Sequence, residues 1–339
     1  MKVMVLGSTG YIGTHLIKTL QQATWVHPTG ASRTRKGEQS NDVDWIPLDT
    51  RDGAAVARAL EGFDTVVNCV AGDRTSIAQG ARDLAAAATA SGCRRIIHMS
   101  TMSVYGAAEG LVTEDLSLDR PTGWYGEAKR EAEMHMQEFS QKGGEVVVLR
   151  PGCVFGPGSE LWVGRTGRWL KAGRLGDLGV AGDGWSNLVH VDDVCHAVVS
   201  ALTLEVMHGN IPVFNLAAPD SPRWNEYFVD LAVAIGAIPV QRINPRKLQV
   251  DSLVAGPPLK IAELLLRYFR KRSGNLPEPI PPGLFKLWGQ QIRLDAQHAT
   301  QKLGIAWTSY DQAIQCSAAW FSESEKPAKP TIGKPICTH

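Results

Sequence analysis

Long apolar runs, a leader sequence and closely spaced cysteines are all missing from this sequence. No apolar stretch reaches the ~18 residues that would span a bilayer. The N-terminus passes from Met1 directly into the strand-like residues 2–6, with no basic region or cleavage site before them. We therefore expect a cytoplasmic protein without an integral membrane segment.

The six cysteines are scattered, and no two form a Cys-x-x-Cys pair. Such spacing favours reduced thiols over a disulfide framework or a zinc site, so we predict no bound metal. An excess of one charge is also missing, because the formal net charge is +1. This balance argues against a broad polyanion-binding surface, and nucleic acid is not an expected partner.

Short β-rich apolar runs alternate with helix-like segments from the N-terminus to about residue 157. The predicted strands are Val3–Leu6, Trp25–Ala31, Asp44–Pro47, Thr65–Cys69, Arg95–Met99 and Glu145–Leu149. The predicted helices between them include Ile12–Leu20, Gly53–Leu60 and Ala78–Ala90. This alternation predicts an α/β fold, a Rossmann-type doubly wound parallel sheet with helices on both faces.

The chain is predicted to form two lobes, and the residues after 157 contribute to both. Residues 1–157 form the dinucleotide-binding domain, and 188–218 return to it with a helix and a strand. Residues 158–187 and 219–322 form a smaller C-terminal substrate-binding lobe, and 323–339 are a flexible tail. Segment 259–272 is apolar on one side and ends in cations. We expect a helix covering the substrate lobe there, with membrane-surface or partner docking as the alternative.

A glycine-rich turn follows the first predicted strand and opens the first helix. Glycine permits a tight turn close to a pyrophosphate, and the helix N-terminus offers that anion partial positive charge. We predict a dinucleotide site whose turn contacts are Gly7, Ser8, Thr9, Gly10, Tyr11, Ile12 and Gly13.

An acidic residue is missing at the end of the second predicted strand, where a carboxylate would bind the ribose hydroxyls of NAD. Ser32, Arg33 and Arg35 stand there instead. Because arginine forms a fork to phosphate, NADP fits this position better than NAD; a solvated basic turn is the alternative. Further predicted cofactor contacts are Asp49, Thr50, Asn68, Val70, Ala71, Tyr125, Lys129 and Pro151.

Three polar side chains form the predicted catalytic set. Tyr125 and Lys129 are four residues apart and share one face of a helix. An adjacent ammonium and a cationic nicotinamide can lower the pKa of a phenol from its usual ~10, which suits it to acid–base work. Thr101 directly follows the fifth strand, at the edge where such sheets bind ligands, so its hydroxyl can bond a substrate oxygen.

These motifs, in this order, resemble the extended short-chain dehydrogenase/reductases, the NAD-dependent epimerase/dehydratase family. The resemblance covers residues 1–218, with a weaker likeness at 292–304 and Trp320. It is also carried by Ser100–Gly106, Arg150–Gly158, Gly182–Gly184 and Val189–Asp193. It implies that Tyr125 exchanges a proton with the substrate and that Lys129 adjusts the pKa of Tyr125 and binds the nicotinamide ribose. It also implies that Thr101 supplies a second hydrogen bond to the substrate. It also implies a homodimer.

Departures from the family pattern narrow the predicted reaction. Nucleotide-sugar 4,6-dehydratases have acidic residues after the catalytic threonine, whereas Met102 and Ser103 follow it here. Many sugar-nucleotide enzymes have Asn at the position of Cys153, and the segment Arg150–Gly158 is more similar to hydroxysteroid dehydrogenases and carbonyl reductases. The resemblance therefore implies an NADP(H)-dependent oxidoreductase acting on a carbonyl or secondary alcohol of a small molecule.

Four tryptophans after residue 157 suit an apolar or ring-shaped ligand, with ordinary core packing as the alternative. They are Trp162, Trp169, Trp185 and Trp224. Two other functions stay open. The same catalytic set fits a nucleotide-sugar epimerase or 4-ketoreductase, with Arg165, Arg168, Lys171 and Arg174 available for a diphosphate. The second open function is that of a non-catalytic NADP-binding sensor, and the intact catalytic set argues against it. Asp192 and Asp193 are interpreted as helix caps.

Overall fold

The computed structural model describes residues 1–34, 43–118, 123–244, 246 and 278–326. Three sequence predictions fall outside this range: the cofactor contact Arg35, the basic segment 259–272 and most of the C-terminal tail.

Seven parallel strands form one sheet in the order β10-β7-β5-β4-β1-β2-β3. The strands along the chain are β1 (Lys2–Leu6), β2 (His27–Ser32), β3 (Asp44–Pro47), β4 (Thr65–Asn68), β5 (Arg95–Met99), β6 (Gly110–Val112), β7 (Glu145–Pro151), β8 (Cys153–Phe155), β9 (Leu188–His190), β10 (Val213–Leu216) and β11 (Ile292–Leu294). The strand order reverses between β1 and β4, so a crevice opens at the carboxyl ends of these strands. The predicted doubly wound parallel sheet is confirmed.

The helices are α1 (Tyr11–Gln22), α2 (Gly53–Leu60), α3 (Gly80–Ser91), α4 (Gly123–Gln141), α5 (Thr166–Lys171), α6 (Val191–Thr203), α7 (Trp224–Ala234), α8 (Gly283–Trp288), α9 (Gln297–Leu303) and α10 (Tyr310–Ser324). Of these, α1, α6 and α9 cover one face of the sheet, and α2, α3 and α4 cover the other. Val3 and Val5 of β1 pack on the α1 and α6 side, while Met4 and Leu6 pack on the side of α2, α3 and α4. Both faces of β1 are buried, as expected for a parallel sheet.

A separate aromatic core lies in the C-terminal part of the chain. Trp169, Trp224, Trp288 and Phe321 are fully buried in it, so ordinary core packing accounts for two of the predicted ligand-binding tryptophans. β10 pairs with β7 of the main sheet. The division of the chain into two lobes stays our proposal.

Two local predictions about the C-terminal half need correction. The tail was expected to begin at residue 323, but α10 continues to Ser324, since Phe321 anchors this helix in the aromatic core. Asp192 and Asp193 do not cap α6: His190 is the N-cap, and its Nδ1 accepts a hydrogen bond from the backbone of Asp192 at 3.4 Å. Asp193 instead accepts a hydrogen bond from the Thr308 hydroxyl at 2.7 Å. Over the described part of the chain, no helix is long and apolar enough to cross a membrane.

Candidate active site

A cavity of about 790 Å³ lies at the carboxyl ends of β1, β4, β5 and β7. The first turn of α1 forms one side, α4 and the residues after β5 form another, and residues 158–162 with Leu287 of α8 close it. The predicted site residues that line it together are Thr9, Gly10, Tyr11, Ile12, Val70, Ala71, Thr101, Tyr125, Lys129 and Pro151. The cavity therefore joins the glycine turn to the predicted catalytic set.

The glycine turn is shaped by contacts that leave no room for a side chain. Gly7 has φ of 76°, and a Cβ there would lie 2.9 Å from the carbonyl oxygen of Cys69. A Cβ at Gly13 would lie 2.3 Å from the carbonyl oxygen of Gly7 and 2.8 Å from the Cα of Ser8. Gly10 is the N-cap of α1, so the free N–H groups of the first helical turn point toward the cavity edge. This cradle fits the pyrophosphate of a dinucleotide.

The residues predicted to surround the adenosine end do not line this cavity, and they lie at the ends of β2 and β3. Arg33 is exposed, whereas the buried Ser32 hydroxyl accepts a hydrogen bond from Trp45 Nε1 at 2.9 Å. Asp49 pairs with Arg51 at 2.6 Å, and this guanidinium lowers the pKa of Asp49 to about 2. The charge of Arg33 lowers the pKa of Asp49 to a smaller extent.

Two further predicted contacts, Thr50 and Asn68, have neighbours within the protein. The Thr50 hydroxyl lies against the start of α3, 3.2 Å from where a Cβ on Gly80 would stand. Asn68 Oδ1 accepts a hydrogen bond from the backbone of Val70 at 3.1 Å, and its amide nitrogen lies 3.2 Å from Nδ1 of His98. Asn68 thus fixes the turn that brings Val70 to the cavity, and its own side chain does not line it.

The three predicted catalytic residues, Thr101, Tyr125 and Lys129, all line the cavity. Thr101 begins the turn after β5, where its Oγ1 accepts a hydrogen bond from the backbone of Ser103 at 3.2 Å, and its side chain also bonds with the Tyr125 hydroxyl. The Lys129 amine is buried and donates to the carbonyls of Met99 at 2.7 Å and Val70 at 3.2 Å. The amine is thereby fixed at the ends of β4 and β5.

Within the protein alone, burial dominates the pKa of Tyr125. Burial raises it above the usual value for a phenol, and hydrogen bonding with Thr101 lowers it only in part. Burial also lowers the pKa of Lys129 to about 8, which weakens the ammonium as a source of charge at this position. In this structure Tyr125 is therefore a protonated donor, suited to giving its proton to a substrate oxygen.

The substrate side of the cavity is mostly apolar. Its wall includes Met102, Cys153, Leu161, Trp162 and Leu287. Burial raises the pKa of the Cys153 thiol far above neutrality, so this side chain is uncharged and contributes apolar surface. Among the residues that the structure describes, this wall holds no arginine.

The four cations that the sequence offered for a diphosphate are engaged elsewhere. Arg165 and Arg168 both pair with the carboxylate of Glu278, at 3.5 Å and 3.0 Å. Arg174 donates to the backbone carbonyl of Glu278, and Lys171 lies 4.9 Å from the centre of an aromatic ring of the C-terminal core. These cations hold the C-terminal part together and do not line the cavity.

Residues 3–217 match the model of the NAD dependent epimerase/dehydratase family. The chain belongs to this family. It is therefore an enzyme of the short-chain dehydrogenase/reductase type, and a nicotinamide dinucleotide is its cofactor. The resemblance drawn from the motifs is confirmed.

Three similar proteins illustrate the range of this family. The 4-epimerase of N-acetyl-α-D-glucosaminyl-diphospho-ditrans,octacis-undecaprenol from Escherichia coli O157:H7 is 26% identical over 57% of this chain and 60% of its own length. The 3β-hydroxysteroid-dehydrogenase/decarboxylase isoform 2 of Arabidopsis thaliana is 25% identical over 89% of this chain and 58% of its own length. The chain thus spans about 60% of the length of these two relatives.

The third is a solved structure, the UDP-glucuronic acid 4-epimerase of Bacillus cereus in complex with UDP-glucuronic acid and NAD. It has a TM-score of 0.72 and 19% identity, and the match covers 96% of this chain and all of that one. At this identity the likeness concerns the fold alone.

Sequence reasoning missed several residues of the cavity, among them His15 and Leu287. His15 follows Tyr11 by one helical turn, so the i, i+4 spacing would have placed it on the same face of α1. Leu287 comes from α8, far along the chain from every motif, and no local pattern points to it.

Proposed function

We propose that this enzyme transfers a hydride between NADP(H) and a carbonyl or secondary alcohol of a small molecule. The convergence of Thr101, Tyr125 and Lys129 on one wall of the cavity carries this proposal. In the reductive direction the Tyr125 hydroxyl gives its proton to the substrate oxygen, and in the oxidative direction it takes the proton back. Thr101 holds the same oxygen by a second hydrogen bond. When bound, the nicotinamide supplies the hydride chemistry.

The cofactor would lie along the carboxyl edge of the sheet. The N-terminus of α1 would receive its pyrophosphate, and Lys129 would bond the nicotinamide ribose. Arg33 stands at the end of β2 where the adenosine ribose is expected, and no carboxylate precedes it there. A guanidinium at this position favours the 2′-phosphate of NADP.

Arg33 offers a direct test of cofactor preference. Removing its guanidinium in Arg33→Ala should weaken NADP binding roughly 10- to 100-fold, because hydrogen bonds to a charged group contribute about 1.5–3 kcal/mol. NAD lacks the 2′-phosphate, so its affinity should stay within about twofold of wild type. Titration of each cofactor against the cofactor-free protein measures both effects.

Arg82→Ala is the matched control for this titration. Arg82 is another exposed arginine paired with a carboxylate, Asp83, and it lies on α3 away from the glycine turn. Its removal should change neither affinity. Tighter binding of NAD than NADP by the wild-type protein would contradict the preference for NADP.

The apolar wall favours a substrate without a diphosphate. A nucleoside diphosphate would place at least two negative charges beside Met102, Cys153 and Leu161, and burying charge without a partner costs several kcal/mol or more. Glu160 at the cavity edge is paired with Arg168, so this arginine is already engaged by a carboxylate. A ring-shaped or otherwise apolar ketone fits this wall better.

A nucleotide-sugar epimerase is the second candidate function. It is favoured by the name of the Escherichia coli relative, which is a 4-epimerase. The same catalytic set would serve it, because Tyr125 would remove and return a hydroxyl proton during the oxidation and reduction of one carbon.

A substrate panel separates the two functions. Apolar ketones are mixed with the protein and excess NADPH, and sugar nucleotides are mixed with the protein and NADP⁺, while nicotinamide absorbance is followed. We expect continuous loss of NADPH absorbance with an apolar ketone, since each turnover oxidises one NADPH. Interconversion of a sugar nucleotide with no net change in nicotinamide absorbance would instead identify the epimerase.

A further inference from the structure

Glu133 lies on the same face of α4 as the catalytic helix residues. Tyr125, Lys129 and Glu133 follow one another at intervals of four residues, so they form a stripe along the helix. Only 11% of the Glu133 side chain is exposed. Unlike Tyr125 and Lys129, Glu133 does not line the cavity, so any effect on the reaction must pass through other residues.

Both oxygens of the Glu133 carboxylate are engaged by neighbouring strands. Oε1 accepts hydrogen bonds from the hydroxyl of Ser100 and from Arg150 Nε at 3.0 Å, and Oε2 accepts one from Arg150 Nη2 at 2.7 Å. Ser100 follows β5 directly, and Arg150 lies on the adjacent strand β7. One carboxylate therefore links α4 to two strands at the edge of the sheet where the cavity opens.

The same ion pair holds the far end of the turn that carries Thr101. Arg150 Nη1 donates to the Tyr105 hydroxyl at 2.9 Å, and Tyr105 in turn donates to Asn215 Oδ1 at 2.6 Å. Residues 102–105 form a short 3-10 turn that begins at Thr101. Ser100 before this turn and Tyr105 at its end are thus tied to one buried Glu133–Arg150 pair.

We infer that Glu133 is a positioning residue, whose carboxylate fixes the Ser100–Tyr105 turn so that the Thr101 hydroxyl meets that of Tyr125. The inference rests on the proposed function, because it assigns Glu133 a role in the proton transfer by Tyr125. The substrate oxygen must contact two hydroxyls held on different elements, one on the turn after β5 and one on α4. Glu133 is itself on α4 and is hydrogen-bonded to that turn. It therefore sets the distance between the Thr101 and Tyr125 hydroxyls.

Two variants test this role by removing different interactions of Glu133. Ser100→Ala removes only the bond from the turn to Glu133, whereas Glu133→Gln also removes the charge that faces Arg150. We expect kcat to fall roughly 10-fold in Ser100→Ala and about 100-fold in Glu133→Gln, since small misplacements of reacting groups have effects of this size. The Kd for NADP should stay within about twofold of wild type, because neither side chain belongs to the glycine turn.

Glu145→Gln is the matched control. Glu145 bonds Arg95, so this pair also joins β5 to β7, but at the opposite ends of the two strands. The side chains are 16% and 11% exposed, close to those of the Glu133–Arg150 pair. Glu145→Gln should lower the melting temperature and leave kcat per folded molecule unchanged.

The titration of Lys129 gives a readout that does not depend on turnover. Burial lowers the pKa of Lys129 to about 8, and Glu133 acts in the opposite direction. In cofactor-free protein with labelled lysine, NMR should therefore show a lower titration midpoint for Lys129 in Glu133→Gln. Ser100→Ala keeps the carboxylate and should leave the midpoint unchanged.

Failure of this inference is distinguishable from failure of the proposed function. If Tyr125→Phe abolishes turnover while folded Ser100→Ala retains wild-type kcat, Glu133 does not position Thr101 and the inference is overturned. If Tyr125→Phe itself retains turnover, the proposed function fails first. Should Glu133→Gln not fold, Ser100→Ala decides the question, since it leaves the ion pair intact.

Discussion

Replacing Tyr125 with phenylalanine is expected to lower kcat by roughly 10²- to 10⁴-fold, the usual contribution of a positioned acid–base group. The hydroxyl is the only part of the side chain that the substitution removes, so the ring keeps its packing beside Trp124. The Kd for NADP should change little, because the glycine turn and Lys129 remain. Stopped-flow or steady-state measurements of nicotinamide absorbance give kcat, and titration gives the Kd.

Tyr310→Phe is the control for this experiment. Tyr310 also has a mostly buried hydroxyl with a hydrogen bond, to Asp230 Oδ2 at 3.0 Å, but it lies at the start of α10. We expect Tyr310→Phe to keep kcat per folded molecule. Wild-type turnover in Tyr125→Phe would exclude Tyr125 as the group that exchanges the proton.

Local pattern was sufficient to predict the parallel sheet and the turn that begins α1. The strands β3 and β5 have the predicted ends, because β-rich apolar runs bounded by turn residues are typical of buried parallel strands. The turn Gly7–Gly13 could be interpreted from sequence for a related reason. Its strand, turn and helix are contiguous in the chain, so one segment contains the whole geometry.

Contacts between distant segments could not be predicted in this way. The pairing of β6 with β11 joins residues 110–112 to 292–294, and neither segment has a distinctive pattern. The cations Arg165 and Arg168 are available for a diphosphate on sequence grounds, yet both pair with Glu278 in the structure. Their charge could be counted from the sequence, but their partner depends on how the C-terminal part packs.

The effect of burial on the pKa of Tyr125 could not be predicted from local sequence either. The spacing to Lys129 predicts a nearby positive charge, but it says nothing about desolvation. Burial affects both groups, raising the pKa of Tyr125 and lowering that of Lys129. The hydrogen bonds of Glu133 with Ser100 and Arg150 could not be predicted from sequence either. This is so although Glu133 continues the spacing of Tyr125 and Lys129 by one more helical turn.

A methyl group at Gly13 should have the largest effect on cofactor binding. In Gly13→Ala the new Cβ would lie 2.3 Å from the Gly7 carbonyl oxygen and 2.8 Å from the Cα of Ser8, and both are backbone atoms that cannot rotate away. The turn must move away from α1, so the N–H groups that face the pyrophosphate lose their alignment. We expect NADP affinity to fall at least about 100-fold and the free energy of unfolding to fall by about 1–3 kcal/mol.

Two further glycines provide a graded comparison for that effect. A Cβ at Gly10 would lie 3.2 Å from the Gly7 carbonyl oxygen, a milder conflict in the same turn, whereas at Gly53, the first residue of α2, the nearest atom would be 3.5 Å away. The loss of NADP affinity should therefore decrease from Gly13→Ala to Gly10→Ala and vanish in Gly53→Ala. Isothermal titration calorimetry measures this order. Undiminished NADP binding by Gly13→Ala would show that the pyrophosphate does not depend on this turn, and the cofactor would then have to bind elsewhere along the sheet edge.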